Sequence, residues 1–159
     1  RLRPVWDIWV RLGHWLIVAG VVFQQVSGKE LELIDAHATV GILLCGWVLF
    51  RVIWGFNGPR FARFSSFPPP SPKAALNSIT LLLRKEPERG PGHSAIGGIA
   101  VYSMITLIGL TALTGMTSSD DIFFSGPLAP LVSAGTVDLA SRAHTILSEL
   151  VLILSLIHI

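Results

Sequence analysis

The chain has 159 residues, of which 51% are hydrophobic and 14% charged, and its mean hydropathy is +0.63. A soluble domain carries about a quarter charged residues, so an ordinary soluble globule is excluded, as is disorder, because a chain this apolar cannot stay solvated. The net charge of +2 gives no reason to expect nucleic acid as a partner, and a lone Cys45 excludes an internal disulfide and a cysteine-based zinc site.

Four stretches are long and apolar enough to cross a bilayer, which takes about 20 helical residues. They cover approximately 5–27, 36–56, 95–116 and 137–159. The first connection, 28–35 (GKELELID), is short and acidic. The second, 57–94, is long, rich in proline and basic, with Arg60, Arg63, Lys73, Arg84, Lys85 and Arg89. Within it, 73–85 (KAALNSITLLLRK) predicts a short amphipathic helix lying along the membrane surface. The third, 117–136, contains Asp120 and Asp121 and no Lys or Arg. The predicted fold is an all-α integral membrane four-helix bundle, a single domain over 1–159. The chain opens at Arg1 without methionine and stops inside a span, so a core clipped at both ends is expected.

Basic residues collect on the cytoplasmic side of membrane proteins. Arg1, Arg3 and Arg11 precede or open the first span and the basic loop follows the second, which predicts both ends inside and a bacterial plasma membrane location. Trp6, Trp9, Trp15, Trp47 and Trp54 lie mainly near span ends, as an interfacial aromatic belt would place them.

Four of the five histidines fall in or beside spans, where ionisable groups are costly and usually functional. For one such residue alone, an interhelical hydrogen bond is about as good an explanation. Their depths group them. His37 and His144 fall at the outer level, His14 and His158 at the inner level. His158 follows His144 by fourteen residues, about 21 Å and nearly four turns, so both look to one seam. Each level thus holds one histidine from each of two helices, an arrangement suited to bis-histidine ligation of a haem iron in a bundle core. A single zinc cannot use ligands separated by most of a bilayer. A proton relay would want carboxylates within the spans, and only Glu149 qualifies; no role is assigned to it.

Small residues admit a flat ligand, and Gly13, Gly20 and Gly41 are the cofactor candidates, although close helix packing explains most such glycines. Haem propionates want cations. Arg11, Arg51, Arg60 and Arg63 lie on the inner side, where topology alone would also put them, whereas Arg142 sits at the outer level against the charge rule. His93, in GPGHS just before the third span, is either an exposed loop residue or a contact for a quinone headgroup or propionate.

These residues together resemble the bacterial cytochrome b561 family, which includes the b-type subunit of nickel–iron hydrogenases. The matching stretches are Val5-Trp6-Asp7 with Arg11-Leu12-Gly13-His14-Trp15, then Asp35-Ala36-His37-Ala38-Thr39-Val40-Gly41, and Arg51-Val52-Ile53-Trp54-Gly55-Phe56 running into Gly58-Pro59-Arg60-Phe61-Ala62-Arg63-Phe64. Gly92-His93 and the His144/His158 spacing complete the match. The resemblance implies two b haems, the first and last ligand histidines sharing one and the middle two the other, which is the pairing that depth suggests. It also implies electron transfer between the quinone pool and a partner such as a hydrogenase or another periplasmic redox protein. A stand-alone superoxide:quinone oxidoreductase of the same fold is the first alternative, and a haem-free membrane anchor is the second. The closing LSLIHI at 154–159 also matches the translation of a common sequencing-library adapter, so His37/His144 carries more weight than His14/His158.

Overall fold

A computed structural model of the chain describes residues 7–67, 71–84 and 94–158, with the side chains of Leu82 and His158 outside that description. The described residues form five α-helices: α1 (Ile8–Ser27), α2 (Ile34–Asn57), α3 (Pro72–Leu83), α4 (Ala95–Thr117) and α5 (Ala134–His158).

Local chemistry sets the helix starts. Asp7 caps α1, its Oδ1 accepting from the Val10 amide, and its Oδ2 accepts from Trp54 Nε1 at 3.2 Å. One carboxylate therefore ties the start of α1 to the end of α2. Ser94 caps α4 in the same way through the Gly97 amide. Each cap satisfies an amide that has no partner inside the helix. Between α4 and α5, Asp120 Oδ1 accepts from the amides of Ile122, Phe123 and Phe124. These bonds hold the Asp120 carboxyl below the usual carboxylate range. Asp121, at φ 62°, makes the sharp turn.

Helix α1 packs on α2, α2 on α4, and α4 on α5, while α3 lies against α4. A small core cluster of Val48, Ile108 and Val151 joins α2, α4 and α5, with Ile17 and Val21 of α1 against it. Most apolar surface lies elsewhere. Leu31–Asn57, Ala95–Thr117 and Ala134–Ile157 are each long and apolar enough to cross a membrane, yet only 17%, 17% and 11% of their most apolar windows are buried. Surface this apolar is solvated by lipid tails, not by water.

Among the described helices three meet the length and hydropathy of a span, one fewer than expected from the sequence. Helix α1 is long enough at 20 residues, but Arg11, His14, Gln24 and Gln25 interrupt it. The amphipathic helix expected at 73–85 is α3. Trp47 and Trp54 are half-buried and form a ladder with Phe50, at centroid distances of 5.1 and 5.6 Å.

Candidate haem site

Two cavities occupy opposite ends of the helices. One, of about 300 Å³, is lined by residues late in α1 and α4 (Gln24, Gly115) and early in α2 and α5 (His37, His144). The other, of about 790 Å³, is lined from early α1 and α4 (His14, Gly97) and late α2 and α5 (Arg51, Ser155). This alternation means that successive bundle helices run in opposite directions.

In the smaller cavity His37 and His144 stand with ring centroids 6.1 Å apart and ring planes at 86°. Each ring is held through Nδ1. His144 Nδ1 lies 2.8 Å from the Thr111 carbonyl. A carbonyl only accepts, so Nδ1 carries a proton, and it is the Nδ1–H tautomer whose Nε2 keeps its lone pair. His37 Nδ1 lies 3.1 Å from Ser27 Oγ, and that hydroxyl already donates its one proton to the Phe23 carbonyl at 2.8 Å. Ser27 therefore accepts from His37, which leaves the His37 Nε2 lone pair open as well. Two imidazoles, each anchored through the nitrogen it does not need for ligation, are what a metal-bound histidine pair requires. With metal–nitrogen bonds of about 2 Å, two imidazoles on one ion stand with ring centres roughly 6 Å apart, so the spacing fits.

Glycines make room for the rings. A Cβ on Gly115 would meet His144 Cε1 at 2.8 Å, and one on Gly28 would meet His37 Cε1 at 3.0 Å. Gly41 lines this cavity and faces Gln24. Gln24 Oε1 is buried with no hydrogen-bond partner among the described residues, and Lys29 supplies a positive charge. Gln25 Nε2 donates to the Ser148 carbonyl and so links α1 to α5.

The larger cavity collects Arg11, Gly13, His14 and Arg51. Among the described residues the buried Arg51 Nη1 has no hydrogen-bond partner, while the guanidinium carbon sits 5.1 Å from the centre of the Phe64 ring. A buried donor left unpaired is costly, and an acid group in the cavity would satisfy it. His14 makes an edge contact with Trp15 at 5.5 Å. Gly13 lines this cavity but also packs on α2, since a Cβ there would meet Trp47 Cζ2 at 2.5 Å. Gly20 lies outside both linings and faces Leu44. The backbone of α5 continues through position 158, and Ser155, three residues earlier, reaches this cavity.

Two of the expected arginines are elsewhere. Arg142 lies outside the His37/His144 lining and pairs with Asp138 at 3.2 Å, on side chains 75% and 64% exposed. Two residues along a helix turn a side chain through roughly 200°, so proximity to His144 in sequence puts Arg142 on the opposite face. Arg60 lies 5.9 Å over the Phe61 ring, outside both cavities. His93 falls outside the described residues. Among those residues no group of three or more His, Cys, Asp or Glu is placed to hold a metal ion, so a metal here would rest on a pair of protein ligands.

Sequence reasoning missed Ser27, Thr111, Gly115 and Gln24. Ser27 and Thr111 read as ordinary helical hydroxyl residues, and only the register between helices brings them to the rings.

A family model described as prokaryotic cytochrome b561 matches residues 5–159. No curated protein and no solved structure matches the chain.

Proposed function

The chain belongs to the prokaryotic cytochrome b561 family, membrane b-type cytochromes of electron transfer that bind b haem, and from that premise we propose that it carries electrons across the membrane on two haems. His37 and His144 hold one, and His14 and His158 hold the other. The observation that carries the proposal is the pair of Nδ1 anchors, which leave both Nε2 atoms of His37 and His144 free for iron. Bound haem supplies one-electron iron chemistry, and the chain's own groups hold it, set its potential and keep water away.

Helix α1 is the fourth span in this proposal. Its polar residues do not argue against burial in lipid, because Arg11 and His14 line one cavity and Gln24 and Gln25 the other. Gln24 and Gln25 are part-buried between helices, and the exposed Arg11 and His14 border the larger cavity, where polar groups in membrane proteins are expected. Arg11 and Arg51 hold the propionates of the haem on His14, and Gly13 and Gly41 admit the flat rings. The basic connection after α2 puts both chain ends on the cytoplasmic side of a bacterial plasma membrane. Quinone is the proposed electron partner within the membrane, with a hydrogenase-type or other periplasmic redox protein at the other end of the path.

Purified protein, reduced and assayed for haem, tests the proposal. Reduced b-type bands with two haems per chain are expected. A folded protein with no haem contradicts it and leaves a membrane anchor as the better description.

A further inference from the structure

We propose that Ser27 is a positioning residue that sets the redox potential of the haem on His37 by fixing that imidazole's tautomer, a role that rests on the ligand assignment above. Ser27 is fully buried, at 0% exposure, on the last turn of α1, ten residues before His37 and on a different helix. Its hydroxyl donates to the Phe23 carbonyl at 2.8 Å and accepts from His37 Nδ1 at 3.1 Å. A hydroxyl that is already donating is a polarised, stronger acceptor. The Gln24 carbonyl, which takes the Gly28 amide at 3.1 Å, keeps a second lone pair and also acts on the His37 ring, so Ser27 shares the ring with one backbone acceptor.

The consequence is electronic as well as geometric. An acceptor on Nδ1–H makes the imidazole a more basic ligand. A more basic ligand favours the ferric over the ferrous state and so holds the potential down. Thr111 does the same for His144, but through a backbone carbonyl that no side-chain substitution removes. Ser27 is thus the anchor of this pair that can be removed by mutation, at the cost of a single oxygen atom.

The test is a redox titration with electron paramagnetic resonance on the haem-loaded protein. Ser27→Ala is expected to raise the midpoint potential of the haem that His37→Ala eliminates and to shift its low-spin signal, with the other haem unmoved. Ser27→Thr, which keeps the oxygen, is expected to restore both. Selective loosening of the same haem in Ser27→Ala, about tenfold or more in affinity, supports the same role. A serine that only packs would change stability and leave the potential where it is. If Ser27→Ala leaves potential and signal unchanged while His37→Ala loses a haem, the role of Ser27 is overturned and the ligand assignment stands. If His37→Ala keeps the full haem complement, or Ser27→Ala loses both haems, the inference falls; in the first case the ligand assignment falls with it.

Discussion

At the end of the bundle near residues 28–33, His37 and His144 face each other in a cavity of about 300 Å³, each ring pinned by a hydrogen bond from another helix. At the opposite end His14 borders a cavity of about 790 Å³ walled by Trp9, Trp47, Phe50 and Trp54, with the unpaired Arg51 Nη1 as its sharpest polar feature. The first end is organised around two facing imidazoles. The second is organised around aromatic walls and cations. The difference teaches that helix packing alone can orient two imidazoles at one end, whereas the other end is shaped by aromatic walls around a buried cation.

The largest expected effect separates the ends completely. Gly115→Leu drives a side chain into His144, where even a Cβ would come within 2.8 Å of Cε1. Haem content is expected to fall by half with the remaining haem spectrally normal; a full complement would show that the His144 ring need not sit where it does. Next comes Arg51→Gln at the opposite end. A cation near haem favours the more negative, reduced state, so removing it is expected to lower the potential of the haem on His14 and leave the other unchanged in a redox titration. An unmoved potential would place Arg51 outside that site.

Gly13→Ala probes packing. The added methyl meets the Trp47 ring, an overpacking cost of about 1–3 kcal/mol, offset by up to ~1 kcal/mol of helix propensity. Thermal stability is expected to drop while the His37/His144 haem keeps its potential; unaltered stability would mean that Trp47 moves freely. Arg142→Ala is expected to do least to either end. An exposed pair of this kind is worth at most about 0.5 kcal/mol, and both haems should be retained with unchanged spectra.

A pH prediction concerns the loop between α4 and α5. Asp120 has its pKa lowered by the amides of Phe124, Ile122 and Phe123, so the ordering it gives is present above the unfolded carboxyl value, about 3.9, and is lost as pH falls through the lower folded value. Amide exchange at Ile122–Phe124 should stay slow through pH 4 and accelerate only in stronger acid. Acceleration beginning above pH 4 would contradict the three-bond anchor.

Much of this architecture is legible in the sequence because bilayer burial demands long apolar runs. α2, α4 and α5 start and stop within a few residues of the expected spans, and α3 lies where amphipathic spacing puts it. The pairing of His37 with His144 follows from helix rise and alternating direction, both of which are local rules. What sequence misses depends on neighbours. Arg142 is two residues from His144 in sequence but on the other face, drawn to Asp138 four residues back. Ser27 and the Thr111 carbonyl acquire meaning only through contacts between helices, for which no spacing along the chain is a guide. Of the cofactor-candidate glycines, Gly20 faces Leu44 outside both cavities and is explained by packing, whereas Gly13 both lines the larger cavity and packs on Trp47.

The central claim is that His37 and His144 serve one haem. Haem content of His37→Ala, His144→Ala and the double variant tests it most directly, because ligands to a shared site lose together and ligands to separate sites lose additively. The expected result is one haem lost in each single variant and no further loss in the double. A double variant that loses both haems while remaining folded would contradict it.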